Sequence, residues 1–296
     1  MGRIFKFALA LFLVGAGVIA IYFAISGESL FNTVNDDDFV YNELIYDGDE
    51  FVNFDFDFEN RGFIIRSSDD DKIKVTYYAT EKDNVVVTES DDTLKLLNDI
   101  EWYNQWFTGF NFLTNNDYYD VYVYLPTTQA YNLDVNTSNG GVDVLNIDNI
   151  GELEFDSSNG KISIVNVEAD EINMDTSNGE IRITDVVVAG DLVLDTSNGK
   201  IYLTDVVAQN IEGYSSNGRI IGVNVDCNSI KLDTSNGDIE IEIKGDKDDY
   251  EVIMDTSNGN MVYDGIGVTS EHFNVGGTYL ADLDTSNGDI EISFVE

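Results

Sequence analysis

The sequence predicts an all-β fold, a parallel β-solenoid of roughly 20-residue coils preceded by one N-terminal transmembrane helix, and three observations carry that prediction. A five-residue motif ending in Ser-Asn-Gly recurs eight times in the second half of the chain. Apolar residues alternate with polar ones on both sides of each copy, the period of a half-buried strand. Val, Ile, Tyr, Phe, Thr, Asn, Asp and Gly dominate while Pro occurs once, a composition for strands joined by tight turns.

The membrane element comes first. Residues 7–25 form a run of nineteen without a charge, the length a helix needs to cross a bilayer. Arg3 and Lys6 precede it and Glu28, Asp36, Asp37 and Asp38 follow it, which places the amino terminus in the cytoplasm and the body outside. A cleaved signal peptide is the competing reading, since Ala24-Ile25-Ser26 loosely fits a small-x-small cleavage site. No cysteine follows the run directly, which excludes a lipoprotein anchor. The expected organisation is therefore a cytoplasmic tip and anchor over 1–27, an acidic tether over 28–38, an N-terminal β region over 39–126 and a repeat solenoid over 127–296.

Within the N-terminal β region, residues 51–58, 72–78, 84–88 and 120–126 read as strands. Between 98 and 119 the alternation is lost and aromatic residues gather. Trp102, Trp106 and Phe110 fall four apart, one face of a short helix, with Tyr103 and Phe107 beside them. Two roles fit this segment: a plug over apolar surface at the end of a solenoid, or an exposed patch that grips a glycan, a lipid surface or a protein.

The repeats end in Asn139-Gly140, Asn159-Gly160, Asn178-Gly179, Asn198-Gly199, Asn217-Gly218, Asn236-Gly237, Asn258-Gly259 and Asn287-Gly288, with successive glycines 20, 19, 20, 19, 19, 22 and 29 residues apart. Leu192 and Leu194 before one turn and Ile201 and Leu203 after it share a face, so each repeat holds two strands. Asn-Gly between them tolerates positive φ and lets the chain corner sharply. A meander of hairpins accommodates the same pattern, but a near-constant step suits coils stacked in register, each position forming a ladder of like residues. The two longer spacings then read as loops at 244–249 and 266–277, with regular winding around them.

A strand of the type Val-x-Val-x-Leu-Pro, here Val121 to Pro126, followed by tandem units ending in Ser-Asn-Gly resembles the DUF4097 family of adhesin-type envelope proteins, which includes the LiaG-like proteins of Gram-positive bacteria. The resemblance spans residue 39 to the carboxy terminus. It implies a β-solenoid, a cell-envelope location and a link to envelope-stress response, and it carries over no catalytic residue.

Chemistry, if present, is sought where the ladder concentrates reactive groups. Stacking the motif aspartates at one coil spacing costs about 0.9 kcal/mol per adjacent pair even at water-like dielectric. Asx turns, each Asp accepting from the N–H groups of its own turn, would relieve that. Calcium bridging through Asp175, Asp195, Asp233 and Asp255 is the alternative, although neither a β-roll nor an EF-hand pattern is present. The Thr column, Thr176 among it, lies on the side of the core leucines, against an ice-binding role. Tyr214 breaks the Asp column with Arg182 and Arg219 nearby, the place where a polysaccharide-cleaving cluster would have to sit.

Cys227 and His272, the single residues of their types, leave no intrachain disulfide and no Ser- or Cys-based nucleophile setting. Fifty-six acidic against fifteen basic residues, a net charge of -41, repel phosphate backbones and exclude nucleic acid as a partner. The expectation is a non-enzymatic, membrane-anchored scaffold that binds an envelope glycan or protein; the rivals are a carbohydrate-active enzyme on a β-helix and a calcium-stabilised stalk.

Overall fold

The computed structural model describes residues 39–80, 83–99 and 120–295. The apolar stretch 7–25 and the residues Trp102, Trp106 and Phe110 lie outside them. Among the described residues no helix is long and apolar enough to cross a membrane. The body from Val40 onward forms one compact unit, built almost entirely of strands.

Seven strands precede the repeats: β1 (Val40–Asp47), β2 (Asn53–Phe58), β3 (Phe63–Ser67), β4 (Lys72–Ala79), β5 (Asn84–Ser90), β6 (Thr93–Asp99) and β7 (Val121–Leu125). The repeats supply β8 (Tyr131–Thr137), β9 (Val142–Ser157), β10 (Ile162–Thr176), β11 (Ile181–Val188), β12 (Asp191–Thr196), β13 (Ile201–Ser215), β14 (Ile220–Thr234) and β15 (Ile239–Lys244). After a single 3-10 turn at Lys247–Asp249 follow β16 (Tyr250–Thr256), β17 (Met261–Tyr263), β18 (Ile266–Val268), β19 (His272–Phe273), β20 (Tyr279–Thr285) and β21 (Ile290–Val295).

Successive coils pair in parallel and in register: Ile162 lies beside Ile181, Ile201 beside Ile220, and Thr176 beside Thr196. The solenoid expectation over a hairpin meander rests on this pairing. Within each coil the inward-outward alternation resets where two successive residues both face out, as at Val165-Asn166 and Asp170-Glu171 in β10. Together with the Ser-Asn-Gly corner these resets divide a coil into three sides, and Val, Ile and Leu from all three fill the interior.

One reset was not expected. Asn146, Asn166, Asp185, Asp205 and Asn224 form a column in the left-handed region, with φ between 53° and 57°. Asn and Asp tolerate this conformation because a short polar side chain bonds locally. Asn166 donates to the Oδ1 of Asn146 at 2.9 Å.

The winding is not sequential at either end, contrary to the regular coiling expected around the two long spacings. β20 pairs on one side with β14 and on the other with β16, while β21 lies between β15 and β17. The eighth repeat is therefore threaded between the sixth and the seventh. The amino-terminal end mirrors this: β2 sits between β6 and β8, and β3 between β7 and β9. In each case the outermost coil is covered by antiparallel strands, β4 and β5 at one end and β18 and β19 at the other. Antiparallel covers block the open edges of the outer coils, which would otherwise template association. Threading a coil inward leaves these covers at the ends of the stack.

Candidate binding surfaces

The Ser-Asn-Gly corner is built from three side-chain columns. The first hydroxyl of the motif points inward and is buried in every copy but the seventh, where Thr256 is partly exposed: Thr176, Thr196 and Thr234 are 0% exposed. Thr176 Oγ1 accepts from Gly179 N–H at 3.1 Å and donates to the Gly160 carbonyl at 3.3 Å, and Thr196 repeats this on Gly199 and Gly179. A buried polar group is tolerated because both its donor and its acceptor capacity are used. The asparagines run outside it, each donating to the one before: Asn159 to Asn139, Asn178 to Asn159 and Asn198 to Asn178, at 2.8–2.9 Å.

Two expectations about this corner are overturned. The motif glycines and asparagines do not adopt positive φ. Glycine is required by close approach: a Cβ on Gly140, Gly160, Gly179, Gly199, Gly218, Gly237, Gly259 or Gly288 would collide with the carbonyl of the neighbouring coil. Nor do the aspartates make Asx turns, because the Thr or Ser hydroxyl already takes the turn N–H.

The aspartates instead stand exposed on the outer face of the third side. Burial of its surroundings and the neighbouring Asp175 push the Asp156 carboxyl above the usual range; burial and Asp195 do the same to Asp175. Burial, followed by Asp233 and Asp255, raises Asp284. Asp175 is beside Asp195, but Tyr214 separates Asp195 from Asp233 and Asp284 separates Asp233 from Asp255. Among the described residues no group of three or more His, Cys, Asp or Glu is placed to hold a metal ion.

The other singled-out residues are dispersed. Tyr214 donates to Glu212 at 2.6 Å, while Arg182 pairs with Glu180 and Arg219 with Asp238 on the first side, around the corner from Tyr214. Cys227 is buried and its thiol is pushed up to about 12 by desolvation and then Asp226, which makes it inert. His272 is exposed and contacts Glu251 at 2.7 Å; hydrogen bonds from Gly276 N–H and then His272 lower the Glu251 carboxyl.

The first side presents a different surface, one that strand alternation alone does not reveal. Arg182 stacks over Tyr202 at 4.3 Å, and at the amino-terminal end Arg66 lies 5.8 Å from the Tyr122 ring and 5.5 Å from the Tyr124 ring. The signal was available. Phe63-Ile-Ile-Arg66 follows Asn60 at the same offsets as Val142 to Leu145 follow Asn139, so a degenerate first repeat announces β3. Arg61 stands in its glycine position, 1% exposed, and donates to the Tyr78 carbonyl and to Asp83 at 2.8 and 3.0 Å.

A family profile described as Toastrack DUF4097 matches residues 52–293. The chain belongs to the Toastrack family. The match takes in the threaded coils at both ends as well as the repeats. Among solved structures, this Toastrack chain is similar to a candidate adhesin of Parabacteroides distasonis, at 12% identity and a TM-score of 0.50, covering 86% of this chain and 96% of that one. A candidate adhesin of Bacteroides fragilis shares 16% identity over 86% and 97% of the two chains, TM-score 0.46. A candidate lipid-binding protein of Parabacteroides distasonis shares 14% over 88% and 98%, TM-score 0.48. No curated protein matches the chain.

Proposed function

We propose that this Toastrack chain is a non-catalytic binding or adhesion scaffold of the cell envelope, held at the membrane by residues 7–25 with the β body outside. The observation that supports it best is the in-register parallel stack, which fixes side-chain columns on rigid outer faces suited to contact at several points at once. Several of the groups that could do chemistry are engaged structurally: the Thr and Ser hydroxyls in the corner relay, the thiol of Cys227 in the core, and Arg182 and Arg219 in ion pairs. The similar structure from Parabacteroides distasonis that is described as a candidate adhesin is consistent with binding. The charge flanking 7–25 and the acidic body agree with an exported domain.

The test has two arms. Cell fractionation of the full chain and of a chain lacking 1–27, which removes the export and anchoring segment, is expected to find the first in membranes with its β body open to external protease and the second in the cytosol; a full chain recovered in the cytosol would overturn the topology. Binding of the full chain, with and without 98–119, to isolated envelopes and to purified wall polysaccharide is expected to saturate. Turnover of the polysaccharide would instead mark an enzyme.

A further inference from the structure

Charge is unevenly distributed over the stack. The outer face of the third side carries Asp55, Asp57, Asp134, Glu154, Asp156 and Asp175 on consecutive coils. The first side at the same end carries Tyr122, Tyr124, Arg66 and Lys74, together with the exposed carboxylates Asp143 and Glu43. Arg66 on β3 has Leu145 and Tyr124 as its cross-strand neighbours, and Lys74 of β4 lies beyond Tyr124. Lys74 is paired with Asp70 at 2.7 Å, and Lys72 with Asp47.

Arg66 is different from the other described arginines. Arg61, Arg182 and Arg219 each have a carboxylate partner. Arg66 has none among the described residues; its Nε, like that of Arg61, is buried without a hydrogen bond, and its side chain rests against two tyrosines. In a chain carrying -41 charges, a guanidinium with no acidic partner among the described residues attracts an anion. Its planar fork matches a carboxylate in two parallel hydrogen bonds. Tyr124 beside it, and Ile45, exposed on β1 on the far side of Lys74, offer apolar area to a ligand.

Resting on the reading of an envelope-binding scaffold, we propose that the Arg66–Tyr124–Lys74 surface at the amino-terminal end of the first side binds a carboxylated polysaccharide. One uronate carboxylate pairs with Arg66, and the C–H face of a neighbouring sugar ring lies on Tyr124. The acidic third side repels the same polymer, so binding is confined to one face.

The full chain in detergent micelles is titrated with polygalacturonate and with the same polymer after reduction of its carboxyl groups to alcohols. Retention of the carboxylated polymer alone is expected. Arg66→Gln lowers the affinity about tenfold or more, Arg66→Lys less, and Arg182→Gln leaves it unchanged. Tyr124→Ala gives a second, independent loss, and the melting temperature of each variant reports its folding. Equal binding of both polymers, equal binding by Arg66→Gln, or a preference for a phosphodiester polymer would each overturn the proposal. Parallel binding to isolated envelopes separates the two readings: if Arg66→Gln binds them undiminished the surface falls and the scaffold stands, whereas if the unmodified chain does not bind them both fall.

Discussion

At the scale of single residues, the corner glycines show how one residue type serves two physical ends. An Asn-Gly pair ordinarily signals positive φ, and that is how its sequence reads. Here the left-handed residues of the repeating coil include the Asn and Asp column at 146, 166, 185, 205 and 224, whereas the corner glycines admit a carbonyl from the adjacent coil. Gly179→Ala is expected to lower stability by about 1–3 kcal/mol through overpacking, whereas Gly267→Ala, with open space around it, should be neutral; denaturant unfolding of the two variants checks this. The aspartate column gives a pH effect of definite sign. Asp156, Asp175, Asp195 and Asp284 are raised, so the native state binds more protons than the unfolded chain between the two pKa values, and stability falls as pH rises through that window. Glu180, lowered by Arg182 and Lys161 against the opposing effect of desolvation, stabilises above its unfolded pKa and loses that contribution at lower pH. The melting temperature should therefore rise on mild acidification from pH 7 and then fall. Asp175→Asn should raise it at pH 7 and flatten the rise.

At the scale of elements, the strands before the first Ser-Asn-Gly were partly legible. Alternation marks β2, β4, β5 and β7, but β1, β3 and β6 were missed. β3 follows a degenerate corner in which Arg61 replaces glycine. That replacement joins the stack to its cover: the guanidinium reaches the Tyr78 carbonyl at the end of β4 and Asp83 just before β5. Arg61→Met leaves Asp83 half-buried without its cation and should cost about 3 kcal/mol or more. Hydrogen exchange should report the loss first in β4 and β5; uniform loss over the whole stack would argue against a local role.

At the scale of the whole molecule, the threaded ends change what a truncation does. In a sequential solenoid, removing the last repeat would strip an end coil and leave the rest in place. In this fold β20 and β21 bridge β14 and β15 to β16 and β17. A chain ending after Phe273 is expected to release β16 to β19 as a unit, seen as protease sensitivity over 245–273 with β8 to β13 still protected. Protection retained over 245–273 would show that these strands dock without the eighth repeat.

What the sequence by itself determined is the repeating unit: alternation set which residues face inward, the buried Thr column among them, and the spacing set the coil length. These are local properties, and each copy declares them within twenty residues. Only the tertiary structure decided which coil neighbours which, why glycine is needed at the corner, and that Arg66 has no carboxylate partner among the described residues. The physical reason is degeneracy. Corners with the same sequence bond equally well to any other copy, so stacking order is chosen by the covering strands and by the few residues, such as Arg61, that tie those strands to the stack.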